Sequence, residues 1–218
     1  MEIFFIGSNF TRLLQGMLLT LEIALISIIF ATFGGLFLGF IMTLKSLIIR
    51  GICRFYLECV RIIPILAWLF IVFFGISQQF DINLSAISSA IIVFSLWGIA
   101  EVGDLVRGAI TSLPKHQTQS AQALGLQQWQ IMYYIILPQA LQRLLPSIIS
   151  LSTRMIKTTS LVALLGVVDL LKVGQQIIEL NKSNPNASFW VYGGIFCTYF
   201  ILCYPLSYLS KILEKKYQ

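Results

Sequence analysis

Charge is scarce in this sequence. Only 11% of its 218 residues are Asp, Glu, Lys or Arg, and the mean hydropathy is +0.85. A soluble surface needs about a quarter of its residues charged, so a soluble globular fold is excluded and a membrane protein implied. Histidine occurs once, as His116, with no partnered nucleophile. The four cysteines, Cys53, Cys59, Cys197 and Cys203, show no CxxC or His-rich spacing. They read as buried packing thiols, with neither a metal site nor a disulfide frame. There is no GxxxxGK[ST] loop to cradle a nucleotide phosphate. Strict period-two alternation is missing too, which argues against a β-barrel. No base stands beside a nucleophile, so no catalytic residue is nominated and an enzyme is not expected. The chain begins Met-Glu without a basic n-region, and a cleaved signal peptide is not expected.

What is present is long apolar sequence. A bilayer core of about 30 Å needs roughly 20 apolar residues as helix. Five stretches are that long, at about 13–44, 56–76, 84–106, 145–165 and 189–209, separated by turn signals such as SQQFDINLS and NKSNPNAS. The reading is an all-α membrane protein, one transmembrane domain over 1–218, with five spanning helices. The net charge of +6 is scattered in small groups beside these runs, which reads as membrane orientation and not as a nucleic-acid surface. An N-terminus outside puts ten basic residues on the cytoplasmic side: Lys45, Arg50, Arg54, Arg61, Arg107, Lys115, Arg143, Lys211, Lys215 and Lys216. It leaves three outside, Arg12, Lys172 and Lys182. This excess predicts N-terminus out and C-terminus in.

The polar interruption at about 108–142 then faces the cytoplasm. Ser112 can cap a helix whose first turn contains Pro114. That helix would run through the small residues Ser120, Ala121 and Ala123 to a stop at Gly125. A second, apolar-faced segment follows, ended by Pro138. Small side chains on a short helix suit close docking of another protein, and an amphipathic helix lying on lipid headgroups would look similar.

The stretch PKHQTQSAQALGLQQWQIMYYIILPQAL resembles the EAA loop of ABC importer permeases, with Gly125 and Leu137-Pro138 at the family's distance. The match is closer to the permeases for polar amino acids (the histidine, glutamine, arginine and cystine type). GMLLTLEIALIS, YLECVRIIPIL, GDLVRGAITSLP, KTTSLVALLGVVDLL and YPLSYLSKILEKK stand in that subfamily's order. Departures are Gln119-Ser120-Ala121 for Glu-Ala-Ala, Asp104 for Glu, Ile62-Ile63 before Pro64 for Gly-Thr, and Arg154 at a position otherwise small or neutral. The resemblance implies a type I ABC importer permease subunit in a bacterial inner membrane. Gln119, Ser120, Ala121, Gly125, Leu137 and Pro138 would form the coupling contact to a cytoplasmic ATPase. It also implies two ATPase subunits carrying ATP and Mg, a second permease copy or paralogue, and an extracytoplasmic amino-acid-binding protein. Surrounding lipid is the other partner; no cofactor or metal is expected on this chain. A permease for another small solute, and a passive channel or secondary transporter, stay open as alternatives.

Charges inside the apolar runs need a reason, since one near the bilayer centre costs about 2.5–3.5 kcal/mol. Asp104 with Arg107, and Glu58 with Arg61, are three apart and read as structural pairs. Arg154 and Lys157 share a face and cannot neutralise each other. Each meets an acid on the third span, Glu101 being one, or they line a substrate path with Thr159, Ser160 and Glu101, or they snorkel to an interface. Gly34-Gly35, Gly39 and Gly193-Gly194 read as sites of close helix packing.

Overall fold

The computed structural model describes residues 2–4, 7–44 and 46–217; Lys45, counted above among the cytoplasmic charges, lies outside the described residues. After a turn of 3₁₀ helix at Glu2–Phe4, eight helices follow. They are α1 (Asn9–Met42), α2 (Leu47–Ile62), α3 (Ile65–Gln79), α4 (Ala86–Thr111), α5 (Lys115–Ala123), α6 (Gln128–Leu165), α7 (Leu170–Leu180) and α8 (Ala187–Tyr217). No strand occurs among the described residues. Helices α1, α4, α6 and α8 are each long and apolar enough to cross a bilayer, and α2 with α3 reaches that length only together, as a bent pair: a broken span or a re-entrant loop.

That bent pair corrects the sequence reading of 56–76 as one span. The two helices meet at 98°. Pro64 drives Ile63 into the extended region (φ −78°, ψ 128°) and then opens α3, where its missing N–H costs nothing. Helix α2 has three faces. Cys53, Leu57 and Val60 are buried; Arg50, Arg54, Glu58 and Arg61 form a charged ridge; Leu47, Ile48, Ile52 and Phe55 are exposed. A helix lying in a membrane interface has this pattern.

The register of close approaches fixes the bundle's directions. A Cβ on Gly35 would meet Val102 and one on Gly39 would meet Val106, while Gly98 meets Ala31. Numbers rise together, so α1 and α4 run parallel. Glycine lets these backbones approach where any side chain would hold them apart. Helix α6 is antiparallel to α4, because Arg154 reaches Glu101 while Arg143 reaches Ser112. It is antiparallel to α8 as well: Ile156 packs with Cys203, and Ser210 donates to the Pro146 carbonyl at 2.8 Å. Helix α1 therefore begins, and α8 ends, at opposite ends of the bundle. Of the other small-residue sites, Gly194 packs against the Phe4 ring, but Gly193 has no neighbour. The thiols are also mixed: Cys53 and Cys203 are buried, Cys59 is intermediate and Cys197 is exposed.

One element had no sequence forecast. Helix α7 lies between the fourth and fifth spans, its N-cap Asp169 accepting from the Lys172 N–H at 2.9 Å. Gly166, in the left-handed region at φ 85°, ends α6 and turns the chain toward it. Leu170, Val173 and Ile177 pack with Ile3, Val191 and Ile195, and Arg12 donates to Gln176. The end of the bundle where α1 begins is thus closed by a second small core.

Candidate functional site

Two features stand apart from the apolar bundle. The first is α5 with its surroundings. Ser112 does not cap α5; it is the C-cap of α4, and its hydroxyl donates to the Ala109 carbonyl at 3.0 Å. Pro114, with ψ 130°, is the residue from which α5 starts. The helix ends as the sequence predicts, at Gly125 with φ 80°, and the Leu126 N–H returns to the Ala121 carbonyl at 3.1 Å. Pro138 does not end the next segment. It lies at the start of a long regular helical stretch, two residues after a wide π turn at Met132–Ile136. In an unbroken α-helix its ring would strike the carbonyl of Tyr134, and the wide turn removes that clash.

Helix α5 is fastened to α6 by side chains. The amides of Gln117 and Gln139 exchange two hydrogen bonds, at 3.2 and 3.0 Å. Ala121 is only 3% exposed, packed with Leu113, Ile131, Ile136 and Ala140. It is therefore a seat for α5 and is not on the outer face, contrary to its assignment as a docking residue. The outer face carries Lys115, His116, Gln119, Ser120, Ala123 and, at the tip, Leu124, which is 83% exposed. Gly125 and Pro138 are exposed, and Leu137 is half-buried. Leu124 was not singled out from the sequence, although an unaccompanied large apolar residue next to the Gly stop is the available signal.

The second feature is an ion network joining α2, α4 and α6. The Arg61 guanidinium donates to Glu101 at 3.0 Å and meets Asp104 at 3.0 Å. Arg107 donates twice to Asp104, at 3.0 and 2.7 Å, the local pair read from the sequence. The pairing of Glu58 with Arg61 does not form. Glu58 takes Arg54, one turn back on α2, at 2.8 Å, which leaves Arg61 to reach across to α4. Arg154 approaches the other Glu101 oxygen at a longer 3.4 Å, with its guanidinium over the Trp97 ring 5.3 Å from the centroid.

A cavity of about 520 Å³ opens beside this network. Its walls include Glu101, Arg143, Ser147, Ser150, Arg154 and Glu214. On the far side of Arg61, a second cavity of about 520 Å³ is bounded by Arg50, Arg54, Asp104 and Arg107. Of the residues read as a substrate path, Arg154 and Glu101 come together here. Lys157 is exposed but does not line the first cavity, and the hydroxyls of Thr159 and Ser160 donate to the helix carbonyls of Ile156 and Lys157. Arg143, Ser147 and Ser150 were missed, yet with Arg154 they are spaced 4, 3 and 4 along one helix, a polar stripe legible by periodicity.

Residues 31–218 match the family model described as binding-protein-dependent transport system inner membrane component. Over 209 residues the chain is 32% identical to the probable amino-acid ABC transporter permease protein YckA of Bacillus subtilis, covering 96% of this chain and 90% of that one. It is 30% identical over 204 residues to the putative glutamine transport system permease protein GlnP of Rickettsia typhi, at 94% and 92% coverage. A crystal structure of an amino acid ABC transporter with histidines superposes with a TM-score of 0.86 at 24% identity, covering 94% of each chain.

Proposed function

Because the chain belongs to the family of binding-protein-dependent transport system inner membrane components, we propose that it is the transmembrane permease subunit of an ATP-driven importer for a polar amino acid. It is a transport subunit and not an enzyme, and ATP with Mg belongs to the partner. The observation that carries the reading is α5: a short polar helix held rigidly against α6, with Leu124 projecting from its tip. An interfacial lipid helix would turn an apolar stripe outward. Here the buried residue is Ala121 and the outward ones are Gln119, Ser120 and Ala123. That face suits a groove on a soluble ATPase, two copies of which would act on a pair of permeases. Closure of the motors on ATP would draw the two α5 helices together and switch the access of the path between them. An extracytoplasmic binding protein would deliver the amino acid at the opposite side.

The orientation in this reading is N-terminus out and C-terminus in, at the bacterial inner membrane, as the excess of basic residues near α5 and the end of α8 favours. In cells, a thiol-reactive impermeant reagent should label Asn184→Cys and spare His116→Cys; the reverse pattern would invert the topology. The functional test is uptake by proteoliposomes holding the permease, its copurifying ATPase and its binding protein. Labelled glutamine should accumulate only with ATP inside the ATPase's compartment. Uptake that runs equally without ATP would make the protein a passive path or secondary transporter instead.

A further inference from the structure

We propose that the cavity between α4, α6 and α8 is a groove through which the amino acid passes as a zwitterion, and that it selects against a positively charged side chain. This rests on the importer reading above and adds the substrate's charge class. Arg143, Ser147, Ser150 and Arg154 lie on one face of α6 and all border the cavity. At 1.5 Å per residue the two arginines stand about 16 Å apart along the helix. Each end of the groove sets a guanidinium near a carboxylate. Arg154 faces Glu101 on α4. At the other end, Ser210 is bonded to Pro146 at 2.8 Å, and one turn further along the antiparallel α8 brings Glu214 to the level of Arg143. An ammonium and a carboxylate on one carbon find complementary partners at either end. The two serine hydroxyls between donate or accept without fixing the solute.

Arg154 is not consumed as a structural lock. Its contact to Glu101 is 3.4 Å, long for a charge-assisted bond, and its side chain is 55% exposed. Glu101 gives its other oxygen to Arg61 at 3.0 Å. Around the Arg154 end, Arg61, Arg107 and Arg154 outnumber Glu101 and Asp104 by one positive charge. Lys157, exposed one turn along α6, adds to that sign. At the Arg143 end the guanidinium and Glu214 balance. A carboxylate is therefore drawn in, a neutral side chain is tolerated, and an extra cation is repelled in a site screened less than bulk water. The volume, about 520 Å³, is within the range of small-molecule sites and leaves room for water beside an amino acid.

The test uses the assembled complex with the native cysteines replaced and Ser150→Cys placed between the two ends. Its thiol is labelled by methanethiosulfonates bearing either a sulfonate or a trimethylammonium. Adding Arg154→Gln should lower the sulfonate-over-ammonium rate ratio about tenfold, and Arg143→Gln should lower it in the same direction. Arg154→Lys should hold the ratio within about twofold of the parent, since the charge is kept. Millimolar glutamine should slow labelling strongly and lysine much less. A ratio indifferent to both Gln variants, or equal protection by glutamine and lysine, overturns the groove. Uptake of glutamine by the same complex is measured in parallel. Normal uptake with a failed labelling result removes the groove and keeps the importer. Loss of all amino-acid uptake in the unmutated complex removes the importer reading, and the substrate class with it.

Discussion

Gly35→Ala should be among the most damaging single-methyl additions in this protein. The added Cβ would lie 2.4 Å from the Val102 Cβ, 2.6 Å from its Cγ1 and 3.1 Å from the Gly103 nitrogen. Carbon atoms in contact normally sit about 3.5–4.0 Å apart, so α1 and α4 must part by about 1 Å. Parting loosens the seam that also holds Gly39 against Val106 and Gly98 against Ala31. Overpacking of this kind costs about 1–3 kcal/mol, and backbone involvement puts this case near 3. Alanine's better helix propensity returns about 1 kcal/mol, which leaves a net loss of about 2. Thermal unfolding of the purified permease reads it. Gly108→Ala and Gly193→Ala are the controls, because nothing lies within 4 Å of either added Cβ. Both should be neutral or stabilising. Val102→Ala should not rescue Gly35→Ala, since the offending Cβ remains. Val102→Gly should, with a coupling of at least about 1 kcal/mol in the double-mutant cycle. Gly35→Ala as harmless as Gly108→Ala, or rescue by Val102→Ala, would refute the packing argument.

Leu124→Asp should reduce ATPase recovered with the permease by about tenfold without lowering its melting temperature, as expected for an exposed contact residue. Ala121→Trp should instead lower the melting temperature, because that site is filled by α6; the opposite pattern would exchange their roles. Asp169 is fully buried, and one of its oxygens lacks a partner, so burial pushes its carboxyl up to about 6. A carboxyl held above its unfolded value of about 3.9 favours the folded state at low pH, and that contribution falls away as pH rises through about 6, by about 2–3 kcal/mol in all. Asp169→Asn keeps an acceptor for the Lys172 N–H and should flatten stability between about pH 4 and 7. An unchanged slope would mean another group titrates.

Apolar length alone made the four long helices legible but not the break at Pro64 in the second stretch, and Gly125 marked the end of α5 as a left-handed stop should. Local charge spacing was legible only where both partners share a helix. Asp104 finds Arg107 three residues on, but Arg61 had two candidate carboxylates across a tertiary contact that no spacing encodes. The same limit hid the inward turn of Ala121, since on so short a helix several faces could have been the seat. Helix α7 escaped because it is too short and too polar for a span, and its apolar face emerges only against Val191 and Ile195. Pro138 misled for a different reason. A proline ends a regular α-helix, but a π turn placed before it lets the helix continue.

The two kinds of exposed surface on this chain cannot share one environment. Phe33 and Phe37 on α1 and Phe196 on α8 are each about 70% exposed, and they stand where hydrocarbon can cover them at no cost. Arg154 and Lys157 are also exposed, yet they lie well inside a helix that crosses the same bilayer. A cation turned to lipid at that depth costs about 2.5–3.5 kcal/mol on insertion scales, and two on one face double the burden. Snorkelling does not relieve Arg154, since its guanidinium is held over Trp97 and toward Glu101. That face must therefore meet water or another protein. Around it lie the groove bordered by Arg143 and Glu214 and, beyond Arg61, the cavity bounded by Arg50 and Arg107. A second permease subunit set against this side would shield all of these charges from lipid and enclose the water they require. The charge placement that costs most in a lone chain is thus the one that pairing with a second permease would convert into a path.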